Sequence, residues 1–395
     1  MFLSIKKISG DKQLWVYTVL LMLFSFWIVY SASSNLSNVY GKSSPLFFGI
    51  KHFIHVAIGL VIIYVTHRFN PKYFSHISRL AMPVMVFLLL YTLMRGTTIA
   101  GANASRWIYV PGLGSVQPST IAFVFLMMFT ARFLGKNDLK NLTFSAALKS
   151  FWIWVFAIVG LVLPANLSTA VLIFSMVILM TLIAGYPLLQ LFKVFGIGLL
   201  GLILLILVLK AFPNKFSNRL DTWQSRIETF IQPPPEDSER IDDKQYQITQ
   251  AKIAIAKGGL FGFRPGKSVQ KNFLPQSVSD FIFAIIVEEY SLTGALIILF
   301  VYLLLGLRMF FVAKKTENTY FKLLVLAVGL PIIMQALSNM AVAVGLFPVT
   351  GQPLPLLSSG GTAIWMSSFA IGIILSVSRY TEMKQRGELE EFITE

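Results

Sequence analysis

The chain alternates between long apolar runs and short polar connections. A helix needs about 20 consecutive apolar residues to cross a bilayer, and ten runs approach that length. They cover residues 14–32, 47–66, 77–94, 120–134, 151–163, 169–184, 191–211, 281–305, 321–346 and 362–377. The pattern predicts an all-α polytopic membrane protein with about ten transmembrane helices, because a helix satisfies its own backbone hydrogen bonds in lipid.

Lys and Arg residues are unevenly divided between the two ends of the predicted helices. Ten helices place both termini on one side of the membrane. The connections and flanking turns on that side hold Lys6, Lys7, Lys12, Arg68, Lys72, Arg79, Arg132, Lys136, Lys140, Lys149, Lys193, Arg308, Lys314, Lys315, Lys322, Arg379, Lys384 and Arg386. The short opposite loops hold Lys42, Lys51, Arg95 and Arg106. Because basic residues are retained in the cytoplasm, both termini are predicted to be cytoplasmic.

The sequence is therefore interpreted as one transmembrane domain, 1–395. Residues 212–279 form a large extracytoplasmic loop between helices 7 and 8, and residues 380–395 form a short cytoplasmic tail. Inside the loop, apolar residues at helical spacing predict an amphipathic helix in the membrane interface over residues 220–231. A second short helix is predicted from Tyr246 to Lys257, ended by two glycines.

Composition narrows the function classes. Hydrophobic residues make up 55% of the chain and charged residues only 13%, against about 25% charged in soluble domains. The net charge of +15 is assigned to cytoplasmic loops beside anionic headgroups rather than to a nucleic-acid partner. The chain has no Cys, which excludes disulfides and a cysteine nucleophile. His52 and His55 share a helix face without a third ligand nearby, so no metal site is predicted from them.

Candidate chemistry gathers in polar loops on the predicted outer side. Irregular backbone rich in Gly and Pro persists at membrane depth where it lines a cavity, so these loops predict an outward-facing pocket. Asp280 stands at the mouth of the eighth predicted helix. It is either a functional carboxylate or the N-cap of that helix, and position alone favours neither. Glu288 and Glu289 lie about 12–14 Å further along the helix and are interpreted as interhelical anchors.

Four outer segments, taken together, resemble the SEDS (shape, elongation, division and sporulation) family of peptidoglycan glycosyltransferases. The segments are Gly101-Ala102 with Arg106-Trp107-Ile108 and Gln117-Pro118-Ser119; Gly258-Gly259-Leu260-Phe261-Gly262; Leu274-Pro275 with Asp280-Phe281-Ile282-Phe283-Ala284; and Pro348-Val349-Thr350-Gly351-Gln352-Pro353-Leu354-Pro355 with Ser358 and Gly360-Gly361. The run from Gly266 to Lys271 is closer to the division branch (FtsW) than to the elongation branch (RodA).

The resemblance implies polymerisation of lipid II into β-1,4 glycan strands at the outer face of the bacterial cytoplasmic membrane, at the division septum. Asp280 matches the family's essential carboxylate and would be the general base. Substrate binding is expected at Arg106, Trp107, Lys267, Gln270, Lys271, Ser358, Gly360 and Gly361. The implied partners are a class B penicillin-binding protein, which crosslinks the strand, and other divisome proteins. The resemblance establishes no cofactor and leaves room for a divalent cation, Mg or Mn.

Several positions depart from the family pattern. Thr120, Asn166, Gln276 and Val278 are neutral where the family often carries an acid or a histidine. Two other functions therefore stay open, a lipid II flippase or other transporter and a non-catalytic divisome scaffold. A transporter predicts polar groups near the bilayer midplane and broken helices in matching halves, and the sequence has no repeated halves. A scaffold predicts that cells tolerate Asp280→Asn.

Overall fold

The structure is a computed structural model that describes residues 9–33, 45–97, 106–111, 114–211, 243–274 and 277–388. These residues fold into helices joined by short connections and one small hairpin. The helices are α1 Lys12–Ala32, α2 Pro45–Thr66, α3 Pro71–Arg95, α4 Pro118–Lys136, α5 Phe144–Val162, α6 Leu167–Ile183, α7 Leu188–Ala211, α8 Asp243–Gly258, α9 Ile282–Lys315, α10 Thr319–Ala343 and α11 Gly361–Arg386. The strands are β1 Ile108–Val110 and β2 Gly114–Val116.

Every predicted apolar run coincides with a helix in the described part of the chain. By length and composition eight of these helices can cross a membrane, and two shorter apolar helices lie at Leu167–Ile183 and Leu188–Leu204. The all-α membrane fold is thereby confirmed. The number of crossings, the sidedness and the single-domain boundaries stay predictions.

The predicted cytoplasmic tail requires a correction. The sequence interpretation began the tail at residue 380, whereas α11 continues to Arg386 and ends at Gly387, which has φ +77°. Two contacts explain the extension. The ring of Tyr380 packs edge-on against Phe321 at 5.1 Å, and Lys384 pairs with Glu317 at 2.5 Å. Contacts with the start of α10 therefore stabilise helical turns that the polar sequence alone did not predict.

Polar residues define several helix starts. Asp11 caps α1 by accepting a hydrogen bond from the Leu14 amide at 2.9 Å, and it also pairs with Arg308 near the end of α9. Asn166 and Asn318 cap α6 and α10 in the same way. Each side chain accepts a hydrogen bond from the amide of the residue three positions further along the chain. Charged and amide side chains at these positions satisfy backbone N–H groups and tie neighbouring helices together.

Small residues allow close helix packing. A Cβ atom on Gly59 of α2 would lie 2.7 Å from the Ser368 Oγ of α11, and one on Gly372 would lie 2.6 Å from the Cβ of Thr66. Without such residues α2 and α11 would have to separate. Helix pairs in lipid depend on this close approach, because apolar burial gives little driving force there.

The segments predicted to be extracytoplasmic contain one predicted and one unpredicted element. The predicted helix Tyr246–Lys257 is confirmed as α8, which packs against α9. The hairpin of β1 and β2, which pairs Ile108 with Val116, was not predicted from the sequence. The amphipathic helix predicted over residues 220–231 lies outside the described residues.

Candidate active site

Helix α9 is broken close to its N-terminal end. Ser291 has φ 70° and ψ 177°, so the helical hydrogen-bond ladder is interrupted there. The segment after α8 supplies the missing partners. Phe263 and Arg264 donate their amides to the carbonyls of Glu288 and Glu289 at 2.9 and 3.1 Å. The Leu292 amide donates to the carbonyl of Gly259 at 3.0 Å. The loop thus supplies hydrogen-bond partners to the backbone groups that the break leaves unpaired, as non-helical backbone at membrane depth requires.

Glycines in this segment are required by the close approach. A Cβ atom on Gly258 would lie 2.2 Å from the carbonyl oxygen of Val287, which no packing tolerates without movement. Gly262 has φ +67°, and its Cβ would lie 2.8 Å from the carbonyl oxygen of Glu289. The Gly-Gly-Leu-Phe-Gly motif therefore docks the large loop onto the break in α9.

Glu288 and Glu289 are the acids that hold the next part of the loop. Their side chains are 0% and 2% exposed. Glu288 accepts hydrogen bonds from the Ser268 hydroxyl and from the amides of Val269 and Gln270 at 3.0 and 3.2 Å. Glu289 accepts from the Ser31 hydroxyl of α1 at 2.5 Å and from the Ser268 amide at 3.3 Å. The interhelical-anchor interpretation is confirmed for Glu289, which bonds to Ser31 of α1. It is wrong for Glu288, whose donors all belong to the loop.

Three predicted substrate-binding residues of the loop have different surroundings. Gln270 and Lys271 are buried, with 4% and 8% exposure, in a short 3-10 turn. Lys271 Nζ donates to the Gly266 carbonyl at 2.8 Å. Burial lowers the pKa of Lys271, and attraction to Glu289 and Glu288 opposes the shift. Lys267 is exposed. Lys267 is therefore the residue of this group that an external ligand can reach without movement of the loop.

Asp280 occupies a turn immediately before α9 and is half-buried. The helix begins at Ile282, its N-cap position is Phe281, and that residue makes no side-chain capping bond. The alternative in which Asp280 is the N-cap is therefore wrong. The backbone of Asp280 is fixed from α10, because Asn339 Nδ2 donates to its carbonyl at 2.8 Å and also to the carbonyl of Gln352 at 2.8 Å.

The loop before α11 forms the other wall around Asp280. Ser358 Oγ donates to the Ser279 carbonyl at 2.6 Å and accepts from the Leu354 amide at 2.7 Å. The Ser359 amide donates to the Val278 carbonyl at 2.8 Å. A Cβ atom on Gly351, whose φ is +67°, would lie 3.5 Å from Asp280 Oδ2. Two irregular segments thus hold the carboxylate in place through backbone groups.

A chain of hydrogen bonds extends from this wall toward Arg106. Gln352 Nε2 donates to Thr169 Oγ1 at 2.5 Å, and the Thr169 amide donates to the side chain of Asn166 at 3.3 Å. Arg106 Nε donates to the neighbouring Ala165 carbonyl at 2.6 Å. Trp107 follows and forms a bridge with Thr97. The structure therefore links Arg106 and Asp280 through the start of α6, and Asn166 serves as a helix cap in this chain.

Gly360 and Gly361 start the last helix. Gly360 is the N-cap of α11. A Cβ atom on Gly361 would lie 2.8 Å from Cε1 of His55, so this glycine lets α11 pack against the imidazole of α2. Thr362 Oγ1 accepts from the Gln117 amide at 3.2 Å, which joins α11 to the start of α4. Both glycines adjoin the wall around Asp280 along the chain.

Comparison with known proteins decides the family. The model of a family described as cell cycle proteins, which groups FtsW, RodA and SpoVE, matches residues 11–383. The chain belongs to the FtsW/RodA/SpoVE family. Stage V sporulation protein E of Bacillus subtilis is 29% identical over 96% of this chain and 100% of its own length. A probable peptidoglycan glycosyltransferase FtsW of Trichlorobacter lovleyi is 30% identical over 93% of each chain.

Solved structures confirm the FtsW/RodA/SpoVE fold. The rod shape determining protein RodA of Thermus thermophilus superposes with a TM-score of 0.64 at 21% identity, over 94% of this chain and 97% of that one. A chain from a study of polymerization and crosslinking by a peptidoglycan synthase complex gives a TM-score of 0.71 at 22% identity, over 95% and 99%. The likeness of fold therefore extends over nearly the whole of each chain.

Sequence reasoning missed three residues that build this FtsW/RodA/SpoVE site. Asn339 lies inside the apolar run of α10, Gln352 was quoted only within a motif, and Ser291 gave no sign of its positive φ. An amide side chain inside a membrane helix is a usable signal, because such a group needs a partner. Among the residues described, no group of three or more His, Asp or Glu side chains is arranged to hold a metal ion.

Proposed function

We propose that the chain is a peptidoglycan glycosyltransferase that polymerises lipid II into β-1,4 glycan strands at the outer face of the cytoplasmic membrane. Family membership and the FtsW relatives support the activity. The observation that carries the assignment is the half-buried carboxylate of Asp280, fixed between two irregular segments and not used to cap its helix. A polar wall at the rim of the helices fits a lipid-linked sugar better than a transport path through the midplane.

Asp280 is the general base in this proposal. Its carboxylate takes the proton from the 4-hydroxyl of the acceptor sugar while that oxygen bonds to the anomeric carbon of the donor. The bond from this carbon to the undecaprenyl pyrophosphate oxygen breaks, and the α-linked donor becomes a β-1,4 link by inversion. A positioned base contributes about 10²–10⁴-fold to the rate. Fixed backbone around Asp280 supplies the positioning, since Asn339 and Ser358 bond to the carbonyls of Asp280 and Ser279.

Basic residues offset the charge that grows on the leaving pyrophosphate. Arg106 and the exposed Lys267 are the proposed contacts, because cationic donors stabilise developing phosphate charge. Gln270 and Lys271 hold the turn that presents Lys267. Trp107, Gly360 and Gly361 complete the proposed substrate-binding surface. Ser358, which is 2% exposed, instead positions the turn that carries Asp280. The described residues supply no protein-only metal site, so no step is assigned to Mg or Mn.

The proposed setting is the division septum, with a class B penicillin-binding protein as partner that crosslinks the new strand. FtsW relatives support the division role. The run Gly266 to Lys271, which resembles the division branch, lies on the docked part of the large loop. Other divisome proteins and lipid II itself complete the proposed set of partners.

The deciding experiment measures glycan polymerisation from lipid II by the purified chain together with its transpeptidase partner. Asp280→Asn should abolish strand formation while the protein stays folded. Asp138→Asn is the matched control, because Asp138 is an exposed carboxylate in a predicted cytoplasmic loop, and it should polymerise normally.

Three results would contradict the proposal. Full polymerisation by Asp280→Asn would remove the carboxylate from the mechanism. Normal septation in cells that carry Asp280→Asn, with no polymerisation by the wild-type chain in vitro, would favour the scaffold. Lipid II translocation into vesicles without polymerisation would favour the flippase.

A further inference from the structure

A basic cavity lies at the helix ends opposite to Asp280. Its volume is about 460 Å³, and it is lined by the end of α4, the start of α10, and the last turns of α9 and α11. Its charged lining residues are Lys72, Lys136, Lys315, Glu317 and Lys384. The unbroken part of α9 after Ser291 runs from Leu292 to Lys315, and its 24 residues span roughly 36 Å at 1.5 Å per residue. The cavity is therefore distinct from the proposed catalytic site.

Positive charge dominates the walls of the basic cavity. Four lysines face one acid among its lining residues, all of which belong to the described part of the chain. That acid, Glu317, is paired with Lys384 at 2.5 Å. No carboxylate that lines the cavity compensates the positive charges of Lys72, Lys136 and Lys315. The N-terminus of α10 also lies here, with Asn318 as its cap, and adds the positive end of a 25-residue helix.

A buried hydroxyl supplies an independent indication of a ligand. Tyr320 lines the cavity and is 4% exposed, and its hydroxyl is buried with no hydrogen-bond partner among the described residues. Buried polar atoms normally have partners, so an orphan requires an explanation. The backbone of Tyr320 is fixed, because a Cβ atom on Gly135 would lie 2.6 Å from its Cα. The ring also lies 5.4 Å from Lys136 Nζ.

We propose that the basic cavity binds the phosphate group of an organic anion. Lysine ammonium groups and a tyrosine hydroxyl are donors, and phosphate oxygens are strong acceptors. The volume lies within the range of ligand pockets, about 300–1,000 Å³, and exceeds the needs of a bare ion. The rings of Phe321 and Tyr380 form an apolar part of the wall. The phosphate belongs either to the headgroup of an anionic phospholipid, which basic pockets at cytoplasmic helix ends accept, or to a soluble phosphate compound.

The test uses the full chain in detergent with two probes, phosphatidylglycerol followed by native mass spectrometry and inorganic phosphate followed by thermal shift. The cavity variant is Lys72→Gln with Lys136→Gln and Lys315→Gln. The matched control is Lys140→Gln with Lys314→Gln and Lys322→Gln, which removes equal charge from residues that do not line the cavity. We expect binding to weaken about tenfold or more in the cavity variant and less than about twofold in the control.

Tyr320→Phe distinguishes a specific hydrogen bond to the phosphate from general electrostatic attraction by the lysines. It removes only the hydroxyl, keeps the charge, and should weaken binding several-fold without lowering the thermal midpoint. If phosphatidylglycerol stays bound and inorganic phosphate does not displace it, the ligand is the lipid headgroup. If phosphate raises the thermal midpoint and no lipid is retained, the ligand is a soluble phosphate compound.

Three outcomes overturn the proposal. The first is equal loss of binding in the cavity and control variants. The second is binding of a polyglutamate peptide in place of both phosphate probes. The third is failure of both probes to bind either the full chain or a chain that ends at Glu388. The shorter chain lacks the acidic residues 389–395, whose carboxylates could compete with phosphate for the lysines.

Discussion

Three carboxylates near the N-terminal end of α9 have two different environments. Glu288 and Glu289 are fully buried, and hydroxyl and amide groups of the loop and α1 donate to them. Asp280 is half-buried, and the contacts around it fix its backbone. Glu288 and Glu289 therefore hold structure through the donors to their oxygens. Asp280 is the acid that we propose for catalysis.

The largest effect that sharpens this comparison concerns catalysis. Asp280→Asn should lower the polymerisation rate by about 10²–10⁴-fold, the usual contribution of a general base. Its thermal midpoint in detergent should stay within about 2 °C of the wild type, because the amide keeps the size of the side chain and the backbone bonds. A large fall in midpoint would place Asp280 with the structural acids.

Glu288→Ala should show the opposite profile. The change removes the acceptor of the buried Gln270 amide and of the partly buried Val269 amide, at a cost of about 2–4 kcal/mol in stability. Thermal unfolding measures the loss, and Glu388→Ala at an exposed position is the control. An unchanged midpoint combined with lost polymerisation would reverse the roles assigned to the two acids.

Gly258→Ala tests the docking of the loop itself. Its new Cβ would collide with the Val287 carbonyl, and overpacking of this kind costs about 1–3 kcal/mol. Gly201→Ala in α7 is the matched control, because no atom lies within 4 Å of its added Cβ. Limited proteolysis of the loop should accelerate in the first variant only. Equal proteolysis of both would show that the loop does not depend on this contact.

Ser358→Ala is expected to have the smallest effect. It removes the hydrogen bonds to the Ser279 carbonyl and from the Leu354 amide, each worth about 1 kcal/mol. Since these bonds position the turn that carries Asp280, the polymerisation rate should fall about five- to tenfold at an unchanged KM for lipid II. Ser150→Ala, on the exposed surface of α5, should leave the rate intact. A higher KM with unchanged kcat would assign Ser358 to substrate binding instead.

Much of the fold was predictable because apolar runs report directly on helices in lipid. The ends were less predictable. Helix α3 begins at Pro71 rather than near Ile77, since Asn70 caps it and polar residues in its first turns pack against neighbours. Helix α9 extends to Lys315, ten residues past the predicted end. Boundary polar residues carry little hydrophobic signal, so tertiary contacts decide where a helix ends.

The site was predictable as a set of segments but not as a geometry. The motif that contains Asp280 and the loop from Pro348 to Gly361 were both identified, and the structure brings them together. The docking of Gly258 to Arg264 on a broken helix was not predicted, because a positive φ at Ser291 has no signature in a serine. Non-local backbone pairing of this kind depends on the folded arrangement of both segments.

The break at Ser291 also limits how this chain can change in length. Five amides between Gly258 and Gln270 donate to acceptors on α9, and they belong to Phe263, Arg264, Ser268, Val269 and Gln270. One inserted residue would therefore shift the later bonds out of register. Insertions and deletions should accumulate elsewhere in the large loop and be rejected here. A scan of single-residue insertions through residues 243–274 would locate the start of the intolerant segment. Viability of the cells should fall abruptly where the insertions pass from α8 into the segment that follows it.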